Sequence, residues 1–293
     1  MESQVAIIGF GEAGRAFATE RASDIRFTAY DLKTASPRER DTMLAAYRDH
    51  DVAGMESAAE AVQGAAGVLS LVTADQALPA ARDCAPHLSR RALWLDMNSV
   101  SPETKRAAAA AIEAAGGRYA DVAVMAPVNP ARREVPLLVS GPHALEAIAL
   151  LGTIGFTRVR RVEGPVGAAS AVKMIRSVMV KGLEALTAEC LLAAEAAGVR
   201  GDVLASLDAS EKPRPWNERA NYNLDRMLVH GLRRAAEMEE VVRTLDGLGT
   251  GSAMSRGTVQ RQRDLGELGL LSPPGSLDAK LAMLARLKQE RAA

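Results

Sequence analysis

Residues 5–15 read Val5-Ala6-Ile7-Ile8-Gly9-Phe10-Gly11-Glu12-Ala13-Gly14-Arg15. A short β-rich apolar run leads into Gly-x-Gly-x-x-Gly, and a helical pattern follows. The glycine spacing says little alone. Its context gives it meaning: a strand before it, a helix after it, and an acid at the end of the next strand. Gly9 permits the tight turn, Gly11 lets the backbone approach a pyrophosphate, and Gly14 lets helix and strand pack closely. The free N–H groups and the positive end of the helix then hold the diphosphate. The spacing therefore predicts that Gly9, Phe10, Gly11, Glu12, Ala13 and Gly14 form a dinucleotide loop. Asp31 follows the second apolar run, where a carboxylate accepts hydrogen bonds from both ribose hydroxyls. It also repels a 2′-phosphate, which favours NAD. Lys33 and Arg38 stand close by and soften that preference, so NADP stays open.

Outward from this loop, strand signals fall at residues 5–9, 25–30, 68–73, 93–96, 118–124, 136–140 and 157–162. Helical patterns lie between them, at 12–22, 37–47, 57–63, 76–85, 102–115 and 142–151. This alternation predicts a parallel sheet with helices on both faces. One helix start is well marked: Ser101 can cap free N–H groups, and Pro102 has its φ already fixed. Gly116-Gly117 can end that helix with positive φ. After Gly164-Pro165 the strand signals stop. Residues 168–197 read as one helix, rich in alanine and leucine, ending at Gly198.

The expected fold class is α/β: an N-terminal Rossmann domain with a doubly wound parallel sheet over residues 1–163, then an all-α domain over 164–293. A single helix of about 30 residues spans about 45 Å. That is long for the core of a lone domain, so part of its apolar surface is expected to meet a partner subunit in a homodimer.

Totals narrow the function classes. Lysine plus arginine and aspartate plus glutamate number 36 each, so no net charge points to nucleic acid or an anionic membrane. Aromatic residues make up 3% of the chain, too few for base-stacking platforms. No window approaches the length of a membrane span. The apolar run at residues 5–10 lacks the basic start and the length of a signal peptide, and reads as a buried strand. Cys84 and Cys190 form no ligand pattern with histidine and are expected to be buried small residues, which suits a cytoplasmic chain. His50, His87 and His143 show no spacing that suggests a metal site.

Several stretches together resemble the β-hydroxyacid dehydrogenase superfamily. They are the glycine loop, Asp96-Met97-Asn98-Ser99-Val100-Ser101-Pro102, residues 119–127, and a helix bearing Lys173, in that order. The superfamily includes the 3-hydroxyisobutyrate, tartronate semialdehyde and 6-phosphogluconate dehydrogenases and the imine reductases. The resemblance covers nearly the whole chain, and its second half is similar to a branch whose helical domain has no assigned function. It implies an NAD(P)-dependent oxidoreductase acting on a small-molecule substrate. Gly167-Ala168-Ala169-Ser170-Ala171-Val172-Lys173 matches the segment that places a lysine against the nicotinamide, with Ala169 where a second glycine is usual. The asparagine that normally follows four positions on is Ser177 here. Residues i and i+4 share a helix face, so Lys173 and Ser177 can point into one cleft.

The family's Ser-Gly-Gly turn, which holds the substrate carboxylate on backbone N–H groups, is Met125-Ala126-Pro127 here. Proline lacks an N–H, and methionine brings bulk. A larger or less polar substrate than a small 3-hydroxy acid fits better. The resemblance further puts His230 where a second lysine is usual, and Asn98 and Ser99 beside the nicotinamide or substrate. Arg233 and Arg234 either offer a fork to an anion or pair with Glu237 and Glu240. Leu71, Val72 and Thr73 end another strand and are expected to touch the cofactor through backbone groups.

Hydride transfer between an alcohol and NAD⁺ needs a group to take the hydroxyl proton, or to return it in reverse. A lysine does this when desolvation or a nearby positive charge brings its pKa down from about 10.4. Lys173 is the expected general acid/base, with Lys181 on a similar face as runner-up. Trp216, near Pro213 and Pro215, reads as part of a loop and lines either the pocket or the core. Imine reduction on the same scaffold is an alternative, against which the retained Lys173 counts. A non-catalytic NAD(P)-binding protein is another, kept open by Ser177 and by Met125–Ala126–Pro127.

Overall fold

The computed structural model describes residues 3–19, 25–210 and 213–290. It divides into two compact units, Met1–Val178 and Met179–Ala293. In chain order the first elements are β1 (Ser3–Ile8), α1 (Glu12–Ala18), β2 (Ile25–Tyr30), α2 (Arg40–Asp49), β3 (Ala53–Gly54), α3 (Ala58–Val62), β4 (Gly67–Ser70) and α4 (Ala77–Cys84). Then come β5 (Leu93–Asp96), α5 (Pro102–Ala114), β6 (Arg118–Val124), β7 (Leu137–Ser140), α6 (Ala144–Ile154) and β8 (Val159–Arg161). The division between units falls inside α7 (Ala168–Ala196). After it run α8 (Arg200–Ser210), α9 (Trp216–Leu248), α10 (Ala253–Gly266) and α11 (Leu277–Glu290).

The eight strands form one sheet in the order β3-β2-β1-β4-β5-β6-β7-β8. The order reverses between β1 and β4, and ligands bind at such a switch point. Alternation along β1 feeds both faces: Val5 and Ile7 join one buried cluster, Ala6 and Ile8 the other. The Rossmann expectation therefore stands.

Within this sheet and its helices, β3, β7 and α2 differ from the sequence reading. β3, two residues long, carries no apolar run and was missed. β7 runs antiparallel to β6, with Asp121 opposite Ser140. The intervening residues 125–136 hold only a 3₁₀ turn, Arg132–Glu134, and a connection without a crossover helix returns antiparallel. α2 begins at Arg40 rather than 37, because Asp31 caps a 3₁₀ turn at Leu32–Ala35 first. The expected end of α1, at 20–22, lies outside the described residues. Ser101 caps α5 as expected, accepting from Thr104 N at 3.2 Å.

In the second unit, α9 and α10 cross at Gly231 and Gly266. A Cβ on Gly231 would meet Gln262 O at 2.4 Å and Gly266 Cα at 2.7 Å, so the two backbones touch. Lys280 on α11 is buried and donates to Asn221 Oδ1 at 2.8 Å. Trp216 is the first residue of α9, not part of the loop expected there, and is 56% exposed. Cys190 is likewise exposed rather than buried, whereas burial pushes the Cys84 thiol up to about 12. No helix among the described residues is long and apolar enough to cross a membrane.

Glu189 of α7 accepts from Met254 N and Ser255 N at 2.9 Å and from Ser255 Oγ at 2.6 Å. Burial alone would raise its pKa, but these three donors outweigh that and hold it below the ordinary glutamate value. A depressed folded-state pKa gives stability that is complete above the unfolded value and lost as pH falls through the folded one. Glu189→Gln is therefore expected to flatten acid unfolding of the helical unit, read by circular dichroism from pH 7 down to pH 3.

Candidate functional site

The glycine loop leaves β1 at the carboxyl edge of the sheet. Gly9 has φ +91°, and a Cβ there would strike Leu71 O at 2.5 Å. A Cβ on Gly14 would strike Gly9 O at 2.5 Å, so this glycine sets the helix against the turn. Around Gly11 a Cβ would meet nothing within 4 Å. Space is kept open there, as close approach by a diphosphate requires. Ala13 packs against the core.

Phe10 contributes differently from the expectation. Its ring is fully buried, 5.0 Å from that of Tyr47 and 5.7 Å from that of His50. Only its backbone serves the loop: Phe10 N donates to Asp31 Oδ2 at 2.7 Å. The other oxygen, Oδ1, accepts from Lys33 N at 3.0 Å. Asp31 is thus locked to both the loop and the turn that follows it. Each carboxylate oxygen keeps a further lone pair for a ribose hydroxyl.

A cavity of about 350 Å³ lies here, lined by Gly9, Gly11, Tyr30, Asp31, Leu71, Val72 and Thr73 among others. Its volume falls in the range of small-molecule sites. Leu71 and Val72 do not present backbone donors to it. Leu71 N donates to Ile8 O and Val72 N to Asn98 Oδ1, both at 2.7 Å. Both residues line the cavity with these N–H groups already engaged. Kept space, an apolar wall and a fixed carboxylate fit the adenosine half of a dinucleotide.

Asn98 is 4% exposed. Besides Val72 N, it serves Ser70 Oγ at 2.9 Å and Asp96 Oδ1 at 2.8 Å through Nδ2. This amide braces the ends of β4 and β5. The neighbouring Ser99 is exposed, and Lys173 Nζ donates to its Oγ at 2.5 Å. The structure thus brings together two residues that stand 74 positions apart. Ser177 Oγ donates back to Lys173 O at 2.9 Å, so its hydroxyl is engaged by its own helix. Lys181 is exposed and falls in the second unit.

What aims Lys173 is a buried polar network that the sequence reading missed. Asp121 is fully buried. Its Oδ2 accepts from Gly167 N at 3.1 Å, Ser170 N at 3.0 Å and Ser140 Oγ at 3.1 Å. Its Oδ1 accepts from Ser170 Oγ at 2.5 Å. The carboxylate therefore caps α7. Lys105 Nζ, also fully buried, stands 3.5 Å from Asp121 Oδ1 and 2.9 Å from Asp96 Oδ1. Tyr119 OH donates to Asp96 Oδ2 at 2.6 Å. Burial, then the Asp96 charge, raises the Tyr119 pKa far above its ordinary value, so it stays a donor. The only advance signal was the acid within the apolar run at 118–124.

Met125 N donates to Pro136 O at 2.9 Å, in continuation of the β6–β7 pairing. Its side chain packs beside Ala123, Leu138 and Ala169. With Pro127 lacking an N–H, the segment offers few amides to a carboxylate; Ala126 is exposed. His230 lies half-buried on α9 in the second unit. The side chains of Glu237 and Glu240, the partners considered for Arg233 and Arg234, lie outside the described residues. Among the described residues no cluster of His, Cys, Asp and Glu could hold a metal ion.

Comparison with known proteins matches residues 4–152 to the NAD binding domain of 6-phosphogluconate dehydrogenase. Residues 194–265 match a domain of unknown function, DUF1932. An uncharacterized 28.5 kDa protein of Methanothermus fervidus is 26% identical over 59% of this chain, and the match spans 65% of its own length. Among solved structures, a conserved hypothetical protein from Sinorhizobium meliloti 1021 is 36% identical, covering 98% of this chain and 97% of that one, with a TM-score of 0.61. A protein of unknown function described as structurally similar to 3-hydroxyacid dehydrogenases is 30% identical over 90% of this chain and 97% of its own, TM-score 0.57. An imine reductase from Myxococcus stipitatus in complex with NADP⁺ shares the fold, with 19% identity over 96% of this chain and 99% of its own, TM-score 0.72.

Removing Lys105 would leave two buried carboxylates facing each other uncompensated. Lys105→Met is expected to lower the unfolding free energy by about 3–5 kcal/mol, measured by denaturant titration. An effect below about 1 kcal/mol would mean the network is not charged as described.

Proposed function

The chain belongs to the family of the NAD binding domain of 6-phosphogluconate dehydrogenase, and from that premise we propose that it is an NAD(P)-dependent oxidoreductase. In this reading it transfers a hydride between nicotinamide and a hydroxy acid or related alcohol or carbonyl compound, with Lys173 as general acid/base. The observation that carries it is the meeting of Lys173 Nζ with Ser99 Oγ, 2.5 Å apart, at the carboxyl edge where the glycine loop also lies. A bound nicotinamide would supply hydride acceptance or donation. Gly11 and its neighbours hold the diphosphate, and Asp31 the ribose. Ser99 orients the Lys173 amino group and gives way to a substrate hydroxyl; as the neutral amine Lys173 takes that proton while the hydride leaves to the nicotinamide, and as the ammonium it returns the proton in the reverse direction.

The scarcity of free amides at Met125–Ala126–Pro127 supports a substrate larger or less polar than a short 3-hydroxy acid. His230 is proposed as a further substrate contact from the helical domain, residues 164–293, and Ser177 and Asn98 as positions beside the substrate. Lys173→Ala is expected to cut turnover by about 10²–10⁴-fold while NADH or NADPH still binds, as followed by nucleotide fluorescence. Unchanged turnover in the variant would remove Lys173 from the mechanism, and no turnover of any alcohol, carbonyl or imine by the unmodified chain would leave the non-catalytic alternative standing.

The same reading includes a homodimer through the helical domain. Leu183 and Leu192 of α7 are 48% and 59% exposed. At about 100° per residue, nine positions put them on opposite sides of the helix. Met179 and Leu186 add to this surface at 45% and 41%. Exposed apolar groups on more than one side suit a partner that wraps the helix. Light scattering after gel filtration is expected to give twice the chain mass of 31.0 kDa, and Leu183→Glu is expected to halve it.

A further inference from the structure

Lys105, at the end of the first turn of α5, has no exposed surface and takes no part in the hydride chemistry. A buried ammonium is costly unless its N–H groups find acceptors. Lys105 Nζ donates to Asp96 O at 2.5 Å, to Asp96 Oδ1 at 2.9 Å and to Val122 O at 3.4 Å. It also stands 3.5 Å from Asp121 Oδ1. Asp96 ends β5 and pairs across the sheet with Asp121 of β6. One ammonium is therefore shared between two neighbouring strands.

Each of the two carboxylates leads to one half of the contact between Ser99 and Lys173. Asp96 Oδ1 also accepts from Asn98 N at 3.0 Å and from Asn98 Nδ2 at 2.8 Å, which fixes the turn that presents Ser99. Asp121 accepts from Gly167 N, Ser170 N and Ser170 Oγ, which fixes the turn of α7 just before Lys173. Helix α5 closes the same frame. It starts two residues beyond the Ser99–Val100 step, and a Cβ on Gly167 (φ +102°) would strike Pro102 Cβ at 2.9 Å. The starts of α5 and α7 thus touch.

We propose that Lys105 is a positioning residue: it ties the strand end that presents Ser99 to the helix that carries Lys173, and so sets the separation of those two groups. The proposal rests on the reading of Lys173 as general acid/base. A counter-charge alone could sit against either carboxylate. A brace has to engage both, and Lys105 does. Without it the two carboxylates repel each other, and each carries its own half of the contact with it.

Trace labelling of the full chain with acetic anhydride near neutral pH, followed by mass spectrometry, compares Lys173 with the exposed Lys181. Lys105→Met is expected to raise the Lys173 rate relative to Lys181 by about threefold to tenfold, the effect of freeing one charged hydrogen bond. Ser99→Ala is expected to do the same. The double variant is expected to do no more than either alone, because both changes remove one contact. Loss of a nearby positive charge by itself would raise the Lys173 pKa and slow the label, and general loosening would speed both lysines alike. A slower or unchanged Lys173, equal gains at both lysines, or effects that multiply in the double variant would each overturn the proposal. Should Lys105→Met fail to fold, Lys105→Met with Asp96→Asn, which also removes one of the opposed charges, is labelled with the same expectation. With a substrate that the unmodified chain turns over, kcat is expected to fall about 10–100-fold with NADH affinity unchanged. No turnover of any alcohol, carbonyl or imine would sink the acid/base reading, while the labelling still decides whether Lys105 sets the contact.

Discussion

The arrangement of the site depends on one buried carboxylate. Asp121 sits inside the sheet with no exposed surface, and an unpaired charge there would be prohibitively costly. Its oxygens are satisfied by the first turn of α7 and by Ser140. The helix can therefore begin only where those donors reach. Lys173 follows Ser170 by three positions, so it lies on a neighbouring part of the same helix surface. Fixing Ser170 fixes the root of Lys173. Lys105 and Tyr119 make the arrangement tolerable by supplying a counter-charge and a donor to the Asp96–Asp121 pair. Such a network contributes more to position than to stability, since desolvation offsets much of its attraction.

Local signals carried most of the fold. The glycine loop, the strand runs at 25–30, 93–96 and 118–124, and the Ser101-Pro102 cap are written in adjacent residues and recur in the structure. What escaped depends on distant partners. β3 exists because Ala53 and Gly54 pair with Thr28 and Ala29, not because of any pattern of their own. The direction of β7 follows from the conformation of a loop whose composition is silent on it. The Asp121 network joins residues from β6, β7, α5 and α7, and no spacing rule links those positions.

Site residues show the same division in another form. Residue type reveals which donors and acceptors exist, and pairing decides which of them remain for a ligand. Asn98, a candidate position beside a bound molecule, spends its side-chain amide on bracing β4 to β5. Phe10 was placed in the loop correctly, but its ring belongs to the core. Leu71, Val72 and Met125 spend their backbone N–H groups within the protein. Ser99 remains exposed one residue beyond Asn98 because the brace ends there. The buried asparagine thus holds the end of the strand still while its neighbour meets Lys173.

The two ends of the first unit's site are built to different tolerances. At the glycine loop, the bond from Gly9 N to Tyr30 O and those from Phe10 N and Lys33 N to the Asp31 carboxylate leave little freedom. Loops joined this way open only with wider disruption. At the other end, an exposed serine hydroxyl and an ammonium form a contact that any hydroxyl-bearing molecule can replace with little net change in hydrogen bonding. A rigid seat suits a group that must return to the same position in every cycle. An exchangeable contact suits a substrate that comes and goes. The chain keeps its cost low by anchoring the lysine's helix, through Asp121, rather than the lysine itself.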